Sequence, residues 1–431
     1  MLQISDQDED IIIHLGDIHG NDGVDKDEIY YNVSDFLRHH DSNICLRKRI
    51  ASISKLANIL DKKVYINTSD QCYSHIYKGI DIIVKRLVAE LTKSDEYFAD
   101  AKLRKTGSSM SGLKVGLPHE SDYVLELPEY KPEFEYMFLI HSKRFYNLVE
   151  PIIKYKKEAL TEGLMQWVIH GVTEHRKTGG VYLVMHVSTT AVSNGSLFNR
   201  IYKRFQTLFT GSNDPIPEEV GVTVDITPVC KIKTPHETLN GMAETFLPHS
   251  LEQYAREGYL CTLDIFDTIC DTGLIENALM KQLPQDTKRA FRVSKFIISS
   301  LSGRPNDIPF DTIQSLDGPA RQRLYGLKSG ISSYMLRILF FHLLVHVKGT
   351  QAKRSLRGDL LILCLLDMLK QCHDKRSNDN IISLRHPFIK ERVQLFYDFV
   401  YPQQRMEDFM DWLDNENTEI LETEKINLLN G

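Results

Sequence analysis

Between positions 107 and 127 the chain reads GSSMSGLKVGLPHESDYVLEL, and a few residues of that stretch are suited to chemistry. Gly107, Ser108 and Ser109 make a small, pliable loop whose backbone N–H groups and hydroxyl suit a phosphate. Glu120 and Asp122 follow, one residue apart, at the head of a run that reads as a strand. Alternate residues of a strand share a face, so the two carboxylates stand one pleat apart. Carboxylates that close repel each other unless a cation neutralises them, and hard oxygen ligands select Mg²⁺ or Mn²⁺. A phosphate cradle followed by a metal-binding pair is the working end of a nucleotidyltransferase. A third carboxylate is normally needed to bridge two ions. Val222-Thr223-Val224-Asp225-Ile226-Thr227 alternates apolar and polar positions, so Asp225 falls on the face opposite Val222, Val224 and Ile226 and can complete a triad. The plainer reading of Asp225 is an acid on an exposed strand face.

Taken together, Gly107-Ser108, the thirteen-residue step to Glu120, the E-x-D pair and the later V-D-I-T resemble the cyclic GMP-AMP synthase-like receptors of animals. Leu113-Lys114-Val115-Gly116-Leu117-Pro118 resembles the linker these receptors tend to carry; Ser121 departs from their usual apolar residue between the carboxylates. The resemblance covers roughly residues 75–405. It implies an α+β, bilobed nucleotidyltransferase: a catalytic lobe with a mixed β-sheet and a long spine helix, and a helical C-terminal lobe. It also implies two Mg²⁺ (or Mn²⁺) ions held by Glu120, Asp122 and Asp225, with Gly107 and Ser108 holding the donor triphosphate. ATP and GTP are the implied substrates, and the product a cyclic dinucleotide second messenger of innate immunity that acts on a STING-type receptor. Lys295 matches the nucleotide-contacting lysine of the family, and Ser333-Tyr334 its base-contacting pair, an aromatic face suiting any base. The plainer readings are a surface lysine and a core tyrosine.

Elements that must position these residues can be read along the chain. Ile76, Ile80, Ile83, Leu87, Leu91 and Phe98 keep a mostly helical spacing over 76–99. Lys78, Lys85, Arg86 and Lys93 spread over the outer side of that helix, either as a solvated face or as a strip for the phosphates of a nucleic-acid duplex. In the family this is the spine helix that meets the activating ligand. Helices are expected over 287–301, 321–347, 356–372 and 388–400. The expected divisions are an N-terminal extension at 1–74, a catalytic lobe at 75–250, a helical lobe at 251–405 and an acidic tail at 406–431.

Two departures from the family follow. No His and Cys run of zinc spacing lies between Cys270 and Lys295, so the chain resembles the members without a zinc thumb, several of which sense double-stranded RNA. RNA is therefore favoured over DNA as the partner, zinc is not expected, and dimerisation on the duplex is compatible with the family. Tyr259–Asp264 stands where the family often carries an arginine, which leaves base choice and linkage open.

Composition adds bounds. The 431 residues are 42% hydrophobic and 26% charged, ordinary for a soluble protein with two sizeable cores. A net charge of −6 confines any basic surface to a local patch. Seven scattered cysteines, an acidic N-terminus and apolar runs too short for a bilayer point to a cytoplasmic protein, with the sequons at Asn32, Asn67 and Asn194 coincidental. Asp17 and His19 match the first metal-binding turn of metallophosphoesterases, but the later turns of that series are missing. Two further alternatives are a non-catalytic scaffold and an enzyme making linear oligonucleotides; retention of all three carboxylates argues against the scaffold.

Overall fold

The computed structural model describes residues 44–64, 71–115, 120–127, 142–164, 166–175, 180–188, 219–232, 259–263, 268–271, 273–301, 333–349, 358–374, 381–385 and 392–396, with Phe409 and Asp411. Asp17, His19 and the acidic tail beyond Asp411 lie outside them. The protein is α+β.

The long helix expected at 76–99 runs over Gln71–Ser94 (α2, after α1 at Ile44–Val64). It stops where Asp95 turns extended and its carboxylate accepts a bond from the Tyr97 N–H, starting a short 3₁₀ turn at Glu96–Phe98. Ile76, Ile80, Ile83, Leu87 and Leu91 are buried. At about 2 kcal/mol for each such side chain removed from water, this stripe holds the helix on the sheet. Gly79, mid-helix, lies where a Cβ would come within 2.5 Å of the Trp167 indole, so the glycine is needed for that close approach.

The sheet is built from β1 (Lys102–Thr106), β2 (Glu120–Leu127), β3 (Trp167–His175), β4 (Gly180–Ser188) and β5 (Glu219–Ile232), in the order β1-β2-β5-β4-β3. Only the β2–β5 pair in that path is parallel; its neighbours are antiparallel. Val222, Val224 and Ile226 of β5 and Val181, Leu183, Met185 and Val187 of β4 are buried on one face. There they meet α2 and the helix Ser142–Leu160 (α3) in one continuous core. The intervening residues, Asp225 among them, turn to the opposite face. A hairpin, β6 (Tyr259–Leu263) and β7 (Thr268–Asp271), pairs with the far end of β5. The sheet thus extends past residue 250, into the stretch expected to be a mostly helical lobe.

The remaining helices are α4 (Gly273–Gln282), α5 (Gln285–Leu301), α6 (Ser333–Gly349) and α7 (Gly358–Asp374). Helices α5, α6 and α7 pack on one another through fully buried aromatics, Phe291 lying edge-on to Phe340 at 5.0 Å. Helix α1, within the stretch expected to be an N-terminal extension, packs on α5 and α7: Ser54 donates to Asp359, and Arg289 reaches both Asn58 and Asp359. Of the helix expected at 388–400, only residues 392–396 are among those described, and they are not helical. Arg392–Phe396 is instead a strand, β9, paired with β8 at Ile381–Arg385. Arg392-Val393-Gln394-Leu395 alternates polar and apolar residues, and once a partner strand is beside it that period of two wins over a helical one. Among the described residues, no helix is long and apolar enough to cross a membrane.

Candidate active site

Strand register sets the site. Thr106, Asp122, Asp225 and Tyr182 are successive partners across β1, β2, β5 and β4. Partners in a sheet share a face at about 5 Å spacing, so Asp122 and Asp225 are neighbours although about a hundred residues separate them in the chain. Glu120 partners Thr223 and lies on the same face, two residues along from Asp122. Glu120 is exposed, whereas Asp122 and Asp225 are half-buried. Thr227 donates its hydroxyl to Asp225 Oδ1 at 3.2 Å.

Gly107 brings the loop onto these acids. It follows Thr106 directly and takes φ +76°, a left-handed conformation that L side chains rarely adopt. A Cβ at this position would stand 1.8 Å from Asp122 Oδ2. Only a residue without one lets backbone and carboxylate approach so closely. The loop then turns on itself: the Met110 N–H donates to Gly107 O at 3.2 Å and the Leu113 N–H to Ser108 O at 3.0 Å. Ser108 is half-buried, and Ser109 Oγ is buried without a hydrogen-bond partner among the described residues.

Three cations face the carboxylates. Lys114, 5% exposed, donates from Nζ to Glu120 O at 3.3 Å and lies 3.7 Å from Glu120 Oε2. Lys295 of α5 and Arg337 of α6 approach closely enough to lower the pKa of Asp122, as Lys114 does. Burial, and then the neighbouring charge of Glu120, outweigh them and raise the Asp122 carboxyl above its ordinary value. Burial, with Lys114 beside it, brings the Lys295 ammonium down to about 7 against the opposing pull of Glu120 and Asp122. Arg337 is anchored at 2.9 Å from Glu276, a fully buried carboxylate. Burial and the carboxylates of the row also raise the hydroxyl pKa of Tyr77 and Tyr182.

The loop is tied to the helices as well. Arg292 of α5 makes a two-pronged pair with Asp61 of α1, at 2.8 and 2.9 Å, and donates to Gly112 O at 3.3 Å. Arg292→Ala would strand Asp61 and release the end of the loop. A loss of about 2 kcal/mol is expected, less than for a fully buried pair because Asp61 keeps part of its surface in water, and a denaturant melt at neutral pH checks it.

Of the residues singled out from the sequence, the fold brings Gly107, Glu120, Asp122, Asp225 and Lys295 to one site, with Ser108 beside Gly107. Ser333 and Tyr334 open α6, but their side chains lie outside the described residues. Lys78 and Lys85 are exposed on α2. Arg86 instead donates to the carbonyls of Leu160 and Glu162, closing the end of α3. Lys93 pairs with Glu90, whose carboxyl is held at about 2 chiefly by Lys156 and then by Lys93. Lys114, Arg337, Tyr77, Tyr182 and Arg292 were not picked out as site residues. Lys114 had a legible signal, a lone lysine in an apolar linker between loop and carboxylates. Tyr182 had none, because only register places it beside Asp225.

The donor set suits a hard divalent cation. Asp122 is half-buried with a second carboxylate on its face and a third as its register partner. Among the described residues, no three His, Cys, Asp or Glu side chains converge on a common point. Comparison with models of protein families and with curated proteins gives no match.

Proposed function

We propose that this chain is a metal-dependent nucleotidyltransferase of the bilobed, cyclic GMP-AMP synthase-like kind, joining two nucleoside triphosphates, ATP and GTP foremost, into a cyclic dinucleotide. Double-stranded nucleic acid, RNA before DNA, is its activating ligand. One observation carries the reading: Gly107, in a conformation suited to glycine, sets a serine-rich loop against Asp122, the register partner of Asp225. A structural sheet face has no use for a backbone pressed onto a carboxylate beside two others.

Glu120, Asp122 and Asp225 would hold two Mg²⁺ or Mn²⁺ ions, which when bound supply a more acidic ribose hydroxyl and charge neutralisation at the departing pyrophosphate. The chain's own residues do the rest. Ser108 and the backbone of the Gly107 turn orient the donor triphosphate, and Lys295 and Arg337 bring positive charge to the phosphates from the helical side. Phosphoryl transfer depends mainly on positioning and charge, so no side-chain nucleophile is called for. Two successive transfers close the ring. The exposed Lys78 and Lys85 on α2 are the best placed of the four basic residues to meet duplex phosphates.

The test is incubation of purified protein with all four NTPs and Mg²⁺, with and without long double-stranded RNA or DNA. Phosphatase-resistant product only with duplex is expected. Linear products with free termini would overturn the cyclase assignment, and absence of product under every condition would favour a scaffold. Lys295 adds a pH signature. An ammonium that loses its proton near 7 in the free enzyme predicts that kcat/KM falls as pH rises above about 7. In Lys295→Arg, which stays charged, that limb should move upward by more than a unit.

A further inference from the structure

On the same sheet face, away from the carboxylate row, two histidines from neighbouring strands touch ring to ring. His170 Nε2 meets His186 Nδ1. The other ring nitrogen of His186, Nε2, lies 3.2 Å from Glu219 Oε1. A β-bulge makes the first contact. Ile169 pairs with Met185 and Gly171 with Val184, which leaves His170 as the extra residue, aimed across at His186. Bulges of this sort recur where a side chain must be re-aimed.

We propose that His170 and His186 form a binding site for a borderline divalent cation of the Zn²⁺ class, with Glu219 orienting His186 from behind. Imidazole nitrogens suit such ions, and a ligating histidine typically gives its second N–H to a carboxylate, which fixes its tautomer. Glu219 plays that part: by accepting from His186 Nε2 it places the lone pair on Nδ1, which faces His170. His170, protonated on Nδ1, then offers Nε2 as the second donor. His170 is exposed and gives the ion its way in from solvent. Water fills the remaining positions.

This site is separate from the carboxylates. His186 lies four residues along β4 from Tyr182, the neighbour of Asp225, which is about 13 Å of strand. No single ion spans both.

The experiment is a calorimetric titration of chelator-cleared full-length protein with Zn²⁺ at pH 7.5, for the parent, His170→Ala, Glu219→Gln and Asp225→Asn. One Zn²⁺ per chain is expected at the histidine site in both the parent and Asp225→Asn, any further Zn²⁺ taken by the carboxylate row being the part that Asp225→Asn loses. His170→Ala should weaken it at least tenfold, and Glu219→Gln by about 10–100-fold, the usual cost of losing an orienting partner. Thermal melts of His170→Ala and Glu219→Gln without metal should match the parent, since His170 and Glu219 are exposed. No binding by the parent, or equal binding by His170→Ala, would overturn the proposal and leave the pair sharing only a proton. Nucleotide turnover is not read, so this result and the nucleotidyltransferase reading fail independently.

Discussion

Asp122→Asn should abolish product formation and, in the absence of metal, make the protein more stable. The loss of activity follows from removing one of the two half-buried members of the acid row. Charge stabilisation by a bound metal is worth several kcal/mol, and each 1.4 kcal/mol or so is tenfold in rate, so a fall of about 10³-fold is expected. The gain in stability follows from the direction of the Asp122 shift. Burial and Glu120 raise its pKa in the folded protein above the unfolded value. The native state therefore holds that proton more tightly, and stability falls as pH rises from the unfolded carboxylate value, about 4, to the raised native one. Above that window the ionised group is a standing cost, which a neutral amide removes. Thermal melts in EDTA at pH 7.5 should give a higher Tm for Asp122→Asn than for the parent, and Mg²⁺ should raise the parent's Tm more than the variant's. A lower Tm in EDTA would show that Asp122 is a structural acid rather than a strained ligand.

Gly107→Ala should lose activity with the opposite sign in stability. A methyl group here meets Asp122 Oδ2 at 1.8 Å, so the carboxylate or the loop must shift. A displacement of about 1 Å in a positioning group costs on the order of 10²-fold, and the left-handed backbone adds about 1–2 kcal/mol of strain for alanine. Gly112→Ala separates the two effects. Gly112 is also left-handed, at φ +72°, but a Cβ there meets nothing within 4 Å. It should lower the Tm by a similar amount while leaving turnover within a fewfold of the parent. Equal activity loss in both variants would mean that loop strain, not the approach to Asp122, governs catalysis.

These expectations rest on features of unequal legibility. The E-x-D pair, the Gly107 loop and the alternation around Asp225 were readable because each depends on neighbours within a few residues: strand pleat, turn chemistry and the period of two. The stripe of α2 was readable for the same reason, and its observed burial follows it closely. Residues 392–396 were misread because four alternating residues are ambiguous until a partner strand arrives, and here that partner is Ile381–Arg385.

Sequence by itself determined which residues carry charge, which faces are apolar, and that Glu120 and Asp122 share a side, since covalent geometry and strand alternation settle those locally. Tertiary structure alone decided that β5 lies parallel beside β2 in a register opposing Asp225 to Asp122, and that Lys295 and Arg337 come to them from α5 and α6. It also decided that Arg86 is spent on the carbonyls closing α3. Each of these depends on the long-range pairing and packing of segments far apart in the chain, a choice made by burial over the whole core that no local pattern encodes.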